Sequence, residues 1–288
     1  MASAQLLAPL LVVQLDRSDP PGRLGEWLRA AGLELDVRAL NAGGELPADL
    51  TGHSGVLVLG GAQSANDDRP ELKAVKAMLR EAIANEVPTL GVCLGHQLLA
   101  AANGGQVRRA PQGPELGAQL VGKRTAAASD PLFAALPITP DVLQWHFDEV
   151  SVLPPGAIQL ASSPGCEQQA FRLGRLAWGI QFHIETTPEI VRSWAREDAE
   201  ELADYDLDAI MARVADTDAD VAEAWQPFAA AFADLVRDPD SVEPPRGVPS
   251  SSAAPLTDAA AIRAALAAEA AAARGVLPMP QLRRPDDG

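Results

Sequence analysis

The sequence predicts an α/β protein with a doubly wound, mainly parallel sheet flanked by helices and a small addition of antiparallel strands. Two patterns carry this prediction. In residues 10–105, four short apolar runs alternate with helical segments, which is the arrangement of βαβ units. In residues 117–185, short strand-like runs follow one another between proline and glycine turns, which is typical of antiparallel strands.

The first half supplies the parallel part of the predicted sheet. Apolar side chains recur at helical spacing in residues 69–86, at Leu72, Val75, Leu79 and Ile83, and Pro70 suits the first turn of a helix. The four predicted strands are "LLVVQLD" (10–16), "LELDVRAL" (33–40), "GVLVLGG" (55–61) and "VPTLGVC" (87–93). The three predicted helices are residues 22–32, 69–86 and 94–105.

The second half changes character. The predicted strands are residues 117–123, 142–153, 158–163, 169–173 and 176–185, and helices return at 187–205 and 222–236. After these helices the composition shifts to proline and serine, which is typical of a linker. We therefore predict one domain over 1–237, a Pro/Ser-rich linker over 238–256, and an Ala-rich helix with a flexible tail over 257–288.

Composition excludes several classes of function. The chain has 39 acidic and 23 basic residues, a formal net charge of −16, so it lacks the basic surface that nucleic-acid binding needs. No apolar run reaches the roughly 18 residues that a membrane helix requires. The acidic run 196–225 is interpreted as a solvated helical face. We expect neither a nucleic acid nor a membrane as partner.

The cysteine count and the N-terminal residues indicate the cellular compartment in which we expect the protein. Two cysteines, Cys93 and Cys166, exclude a disulfide scaffold, although a single bond between them stays open. The opening "MASAQLLAPLLVVQLDR" has an apolar run but no basic leader, so we expect a first buried strand rather than a signal peptide. We expect a cytoplasmic protein.

The segment "GVCLGHQ" (91–97) places Cys93 between Gly91 and Gly95 where a strand meets a helix. This G-x-C-x-G pattern has the form of a nucleophile elbow, whose tight turn requires small neighbours. The N-terminus of the next helix favours a thiolate, and the N–H of Leu94 is placed to stabilise an oxyanion. The alternative is a buried structural cysteine between two ordinary glycines.

A base for this cysteine is offered by "QFHIE" (181–185). Residues two apart in a strand share a face, so His183 and Glu185 are expected to point the same way. A carboxylate can then hold one imidazole nitrogen while the other faces the nucleophile. An ordinary half-exposed strand pair is the alternative for an H-x-E pattern taken alone.

Together, "GVCLGHQ" and "QFHIE" resemble the class I (triad) glutamine amidotransferases, and within them the glutaminase part of GMP synthase. The resemblance covers residues 10–195 and implies a flavodoxin-like sheet with nucleophile Cys93, base His183 and orienting Glu185. "VLVLGGAQSAND" is similar to the family's glycine-pair loop, with Gly60 and Gly61 helping to form an oxyanion hole. The resemblance further implies that substrate contacts come from Gln97 and from the backbone near Trp145, His146 and Phe147.

The resemblance implies hydrolysis of the glutamine side-chain amide through a Cys93 thioester, with no metal and no organic cofactor. Because no synthase domain is evident, the implied acceptor of ammonia is a separate synthase subunit. A γ-glutamyl hydrolase on the same scaffold is the alternative. A non-catalytic regulatory homologue is a third reading, since Ala62 and Ile184 stand where the family often has proline.

Overall fold

The computed structural model describes residues 7–243. Twelve strands and five α-helices form this part of the chain. The strands are β1 (Leu10–Gln14), β2 (Leu35–Ala39), β3 (Gly55–Val58), β4 (Thr89–Val92), β5 (Gln106–Arg109), β6 (Glu115–Leu120), β7 (Gly122–Lys123), β8 (Asp141–His146), β9 (Asp148–Val152), β10 (Ile158–Ser162), β11 (Ala170–Leu173) and β12 (Ala177–Ile180). The helices are α1 (Gly22–Ala30), α2 (Pro70–Ala84), α3 (Leu94–Ala102), α4 (Pro188–Glu197) and α5 (Leu207–Arg237).

The central sheet has eight strands in the order β2-β1-β3-β4-β12-β11-β10-β7. The neighbours from β2 to β12 are parallel, and the pairs from β12 to β7 are antiparallel. Two antiparallel ribbons, β5 with β9 and β6 with β8, lie outside this sheet. The predicted fold class is confirmed, including the small antiparallel addition.

Both faces of the sheet are covered by apolar side chains. Alternate residues of β1 point to opposite faces, so Leu10 and Val12 belong to one buried cluster and Leu11 and Val13 to the other. Helices α1 and α5 cover the first face, and α2 and α3 cover the second. The buried runs at β1, β3 and β4 reflect this double coverage.

Some predicted boundaries in the second half are wrong. The strand expected over 176–185 ends at Ile180, and only an isolated bridge between Leu143 and His183 continues it. The helix expected over 187–205 ends at Glu197, and turns follow as far as Asp206. The strand expected over 142–153 is broken at Phe147 into β8 and β9.

The C-terminal boundary is described as far as Glu243. Of the predicted linker, Pro239–Ser241 form a short 3-10 helix, and Arg172 donates a hydrogen bond to the carbonyl of Glu243 at 3.0 Å. The remaining linker and the predicted Ala-rich helix lie outside the described residues. Within residues 7–243, no helix combines the length and apolar character that crossing a bilayer demands.

Candidate active site

The site lies at the carboxyl ends of the parallel strands. Asp19 follows β1, Gly60 and Gly61 follow β3, Cys93 follows β4, and His183 follows β12. Because these strands are neighbours and parallel, the segments that leave them converge at one edge of the sheet, where open α/β sheets bind their ligands. The topology therefore brings together groups that are up to 164 residues apart in the chain.

Cys93 occupies a sharp turn between β4 and α3. Its backbone has φ 50° and ψ −106°, which places an L-residue in a strained, left-handed conformation. The N–H of Cys93 donates to the carbonyl of Ile180 at 2.9 Å, and α3 begins at the next residue, Leu94. The thiol thus lies at the positive end of a helix, beside backbone N–H groups that α3 leaves unpaired.

Gly91 and Gly95 make this turn possible. A Cβ atom at Gly91 would lie 2.6 Å from the carbonyl carbon of Gly95, and one at Gly95 would lie 2.1 Å from the carbonyl oxygen of Val58. Both distances are far below any real carbon contact. The two glycines of the elbow pattern are therefore required by close backbone packing between β3, β4 and α3.

His183 and Glu185 form a buried hydrogen-bonded pair. Nδ1 of His183 donates to Oε1 of Glu185 at 2.5 Å, and the N–H of Ile184 donates to Oε2 at 2.9 Å. The two side chains meet as predicted from their spacing, although the segment is not a regular strand. The bridge to Leu143 holds it, since the N–H of His183 donates to the Leu143 carbonyl at 2.7 Å.

The second imidazole nitrogen of His183 is left open toward the cavity that Cys93 also lines. Within the described residues, buried Nε2 has no hydrogen-bond partner. Burial alone would lower the pKa of His183, but the charge of Glu185, its hydrogen bond to Nδ1 and the neighbouring Cys93 raise that pKa well above its ordinary value. The environment therefore favours an imidazolium beside the sulfur.

Two glutamines contact the same sulfur and its helix. Nε2 of Gln181 lies 3.7 Å from Sγ of Cys93, within reach of a weak hydrogen bond. The Gln97 amide donates to Oε1 of Gln181 at 3.1 Å and to the carbonyl of Asp148 at 3.0 Å. Gln97 therefore orders the region around the sulfur as well as bordering the cavity. Gln181 begins the QFHIE segment, but the sequence interpretation gave it no role.

A cavity of about 350 Å³ opens in front of Cys93. Of the residues predicted for the site, Gly60 and Glu185 lie behind its wall. The Gly60 Cα lies so close to Asp19 and His183 that a Cβ would approach them at 2.8 and 3.2 Å. The other predicted residues line the cavity: Gly61, Cys93, Leu94, Gln97, Trp145, His146, Phe147 and His183.

The strand end at Trp145–Phe147 forms one wall. His146 is fixed by a buried network, because its Nε2 bonds Oε2 of Glu115 at 3.1 Å and its Nδ1 bonds the Asp148 carbonyl at 2.9 Å. Ser163 and Gln169 donate to the same Glu115 carboxylate at 2.7 and 2.6 Å. The His146 ring is therefore occupied within the protein, so the backbone of this segment is what it can offer to a substrate.

The two aromatic neighbours are also anchored. Nε1 of Trp145 donates to Oδ2 of Asp198 at 2.8 Å. The guanidinium of Arg109 lies 4.6 Å from the centroid of the Phe147 ring, a cation–π arrangement, and it also pairs with Glu201. Arg109, Asp198 and Glu201 line the cavity but belong to no motif of the elbow, so the sequence interpretation did not include them.

Asp19 is a further residue that the sequence interpretation missed. It is 6% exposed, lines the cavity, and has an oxygen within 4.8 Å of a nitrogen of His183 and an oxygen of Glu185. Burial raises the pKa of Asp19 to about 7, and the charge of His183 opposes this shift while those of Glu185, Asp16 and Glu197 add to it. No local pattern marks this loop; only the fold reveals the contact.

In the acidic run 196–225 the predicted exposure to solvent is found at Glu197 and Glu201, but the predicted helix is interrupted between Glu197 and Leu207. Glu197, Asp198 and Glu201 line the cavity, because α4 ends at Glu197 and the chain then turns across the mouth of the site. Both cysteines are free, so the disulfide left open by the sequence is absent. Burial raises the pKa of the Cys166 thiol to about 12.

Two groups of side chains in residues 7–243 have the composition of metal ligands. One is Asp19, His183 and Glu185, and the other is Glu115, His146 and Cys166. In the second group both imidazole nitrogens already have hydrogen-bond partners. In the first, Nδ1 of His183 is taken by Glu185. Hydrogen bonds therefore occupy both ring nitrogens of His146 and Nδ1 of His183, and the absence of a metal requirement stays a prediction.

The fold is a doubly wound α/β sheet, and buried Cys93, His183 and Glu185 lie at its carboxyl edge. The profile of the family "Glutamine amidotransferase class-I" matches residues 24–193. The chain therefore belongs to this family.

Similar proteins carry several names. The glutamine amidotransferase-like protein YfeJ of Salmonella typhimurium is 30% identical over 184 residues, which is 62% of this chain and 76% of YfeJ. The glutamine-hydrolysing GMP synthase subunit of Pyrococcus abyssi is 35% identical over 167 residues, 56% of this chain and 78% of that protein. Gamma-glutamyl peptidase 4 of Arabidopsis thaliana is 30% identical over 152 residues, 51% of this chain and 61% of the peptidase.

A solved structure supports the fold. The glutamine amidotransferase from Methylobacillus flagellatus superimposes with a TM-score of 0.71 at 30% identity, over 83% of this chain and 96% of that one. The family assignment and the fold agree with each other. The names of these relatives refer to glutamine or to a γ-glutamyl group.

Proposed function

We propose that this protein hydrolyses the side-chain amide of glutamine, or of a γ-glutamyl compound, through a thioester on Cys93. One observation carries the proposal. Cys93 stands on a strained turn at a helix N-terminus and lines the same cavity as His183, whose Nδ1 is held by Glu185. That combination activates a nucleophile, positions a base and orients the base.

In the proposed acylation, Sγ of Cys93 attacks the amide carbon and a C–S bond forms. The developing oxyanion is stabilised by the N–H groups of Leu94 and Gly61, which border the cavity with the sulfur. The C–N bond then breaks as Nε2 of the His183 imidazolium gives its proton to the leaving nitrogen. Ammonia or an amine departs, and the γ-glutamyl thioester remains.

In the proposed deacylation, neutral His183 takes a proton from water, and the hydroxide equivalent attacks the thioester carbon. The C–S bond breaks, glutamate leaves, and the Cys93 thiolate and His183 imidazolium are restored. Glu185 accepts the Nδ1 proton of His183 in a hydrogen bond and stabilises the imidazolium. Neither proposed step needs a metal or an organic cofactor, because Cys93, His183, Glu185 and water supply every group that reacts.

The names of two relatives suggest two possible uses of this chemistry. In the first, free glutamine is the substrate and ammonia passes to a separate synthase subunit; the name of the GMP synthase relative suggests this use for that protein. In the second, the amide nitrogen belongs to a larger amine, as the name gamma-glutamyl peptidase suggests. The acylation chemistry is the same in both, and we place it in the cytoplasm.

A non-catalytic homologue is the remaining alternative. It rests on Ala62 and Ile184, which replace the prolines that the resemblance implies. Ala62 borders the cavity, whereas Ile184 is fully buried and its N–H supports Glu185. A proline at 184 would lack that N–H, so Ile184 adds a hydrogen bond to the pair and does not argue against turnover.

The proposed function is tested by glutamate release from glutamine and from γ-glutamyl amides. We expect the wild-type protein to release glutamate and Cys93→Ala to lose at least about a thousandfold in kcat. Cys166→Ala is the matched control, because that thiol lies outside the cavity lining, and its activity should remain. Equal activity of Cys93→Ala and wild type would reject the thioester mechanism.

A further inference from the structure

The cavity carries an excess of negative charge. Five carboxylates line it: Asp19, Asp148, Glu197, Asp198 and Glu201. Arg109 is the one guanidinium among the lining residues of the described chain, and it is already paired with Glu201. Asp148 and Asp198 accept hydrogen bonds from Ser64 and Trp145. Asp19 and Glu197 are left without such partners.

Asp19 is the buried member of this pair. In the part of the chain that the structure describes, no N–H or O–H donates to its carboxylate and no arginine or lysine is paired with it, although the side chain is more than nine-tenths buried. Glu197, at the end of α4, lines the same cavity as Asp19. A buried carboxylate that faces a cavity and has no donor is an unfilled hydrogen-bonding position.

The position of this pair within the cavity indicates which part of a substrate it faces. In the proposed mechanism His183 protonates the leaving nitrogen, so groups adjacent to His183 border the leaving group. Asp19 lies within 4.8 Å of the His183–Glu185 pair, and Trp194 of α4 packs on the His183 ring at 4.6 Å. Arg109 and Phe147 lie instead on the wall formed by Trp145–Phe147.

From this arrangement we infer that the preferred substrates are γ-glutamyl amides whose amine portion carries a second, protonated amino group, with Asp19 and Glu197 binding that ammonium. Mono-γ-glutamylated diamines are the simplest members of this class. The inference rests on the proposed function and narrows it to a leaving-group preference. An ammonium would supply the donors that Asp19 lacks and would offset the repulsion between the two carboxylates.

The direct test compares two amides that differ only in this charge. γ-Glutamyl-diaminobutane carries a terminal ammonium, and γ-glutamyl-pentylamide has a methyl group in its place. We expect kcat/KM for glutamate release to be about tenfold higher for the ammonium compound. We also expect this preference to decrease as salt is added, because a mobile counterion competes for the exposed Glu197. Equal values, or a preference for the pentylamide, would overturn the inference.

Substitutions test whether Asp19 and Glu197 cause the preference for the ammonium compound. In Glu197→Gln we expect the ratio of kcat/KM for the ammonium compound to that for the pentylamide to fall severalfold, and in Asp19→Asn to fall further. Glu200→Gln is the matched control: it removes the same charge three residues away from Glu197 and outside the cavity lining, and its ratio should equal the wild-type ratio. If Asp19 merely supported the triad, Asp19→Asn would slow both amides equally and leave the ratio unchanged.

Binding to Cys93→Ala tests the ammonium site independently of the proposed hydrolytic function. Calorimetric titration of this variant with both amides reports affinity without turnover. Tighter binding of the ammonium compound supports the inference even if wild-type protein releases no glutamate from any amide, an outcome that would reject the proposed function alone. Equal binding, together with equal turnover, would reject the ammonium site and leave the proposed function standing.

Discussion

Oε1 of Glu185 accepts the Nδ1 proton of His183 at 2.5 Å while Oε2 of the same carboxylate accepts the N–H of Ile184 at 2.9 Å. Both carboxylate oxygens are therefore engaged, and neither can rotate without losing a bond. The imidazole is held in one tautomer and one orientation, with Nε2 free for the sulfur. The pair is buried, so water cannot take over either contact.

The first prediction concerns Glu185→Gln. The amide keeps the shape of the side chain but loses the charge that stabilises the imidazolium, and its NH₂ group cannot accept the Nδ1 proton. We expect kcat for glutamate release to fall by about a hundredfold to ten-thousandfold, with KM little changed. The measurement is steady-state kinetics on γ-glutamyl amides. Wild-type kcat in a correctly folded Glu185→Gln protein would contradict the role assigned to Glu185.

The second prediction concerns the pH dependence of stability. The pKa of Asp19 is raised by burial to about 7, so the folded state holds a proton that the unfolded state releases near pH 3.8. Protonated Asp19 therefore contributes fully to the free energy of unfolding below pH 3.8, and this contribution is lost as the pH rises toward 7. In Asp19→Asn this loss is absent.

Urea unfolding at two pH values measures the difference. At pH 8 we expect Asp19→Asn to be more stable than wild type by a few kcal/mol, roughly 4 at most for a shift of this size. At pH 4 we expect the two proteins to differ little. A variant that is equally stabilised, or equally destabilised, at both pH values would show that Asp19 does not titrate in this window.

The third prediction concerns the elbow glycines. A Cβ at Gly95 would lie 2.1 Å from the Val58 carbonyl oxygen, so β3 and α3 must separate in Gly95→Ala. We expect a loss of roughly 3 kcal/mol in the free energy of unfolding, or failure to fold. Gly52→Ala is the control, because nothing lies within 4 Å of its Cβ position, and its stability should be unchanged or slightly higher. Thermal unfolding of both variants measures the difference, and equal melting temperatures would contradict the close packing assigned to Gly95.

The fourth prediction concerns the support of the Trp145–Phe147 wall. In Glu115→Gln one carboxylate oxygen becomes an NH₂ group and faces a donor from Ser163, Gln169 or His146. We expect a destabilisation of about 1 to 3 kcal/mol and a rise in KM that exceeds the fall in kcat, because this network positions the substrate wall and does not touch the reacting atoms. A fall confined to kcat would contradict that assignment.

Much of the parallel half of the fold could be predicted from sequence, because its information is local. The apolar runs at 10–16 and 55–61 are buried on both faces, and Gly91 and Gly95 identify the turn at Cys93. The pairing of His183 with Glu185 also followed from their spacing. These features depend on residues within a few positions of one another.

Long-range contacts account for what the sequence interpretation missed. Asp19 reaches the site because β1 lies two strands from β4 in the sheet order, and Gln181 because β12 pairs beside β4. The carboxylates Glu197 and Glu201 were assigned to a solvated face and are exposed, but only the end of α4 and the turns after it show that they also border the cavity. No single stretch of sequence contains these relationships.

The contrast between the two thiols has a practical consequence. Cys166 is 2% exposed and its pKa is raised to about 12, whereas Cys93 opens onto the cavity. An electrophilic reagent applied at neutral pH should therefore label one sulfur per chain without any engineering of the sequence. Counting the label by mass spectrometry would report the fraction of molecules with an accessible pocket, and a fluorophore attached there would report directly when a small molecule enters or leaves.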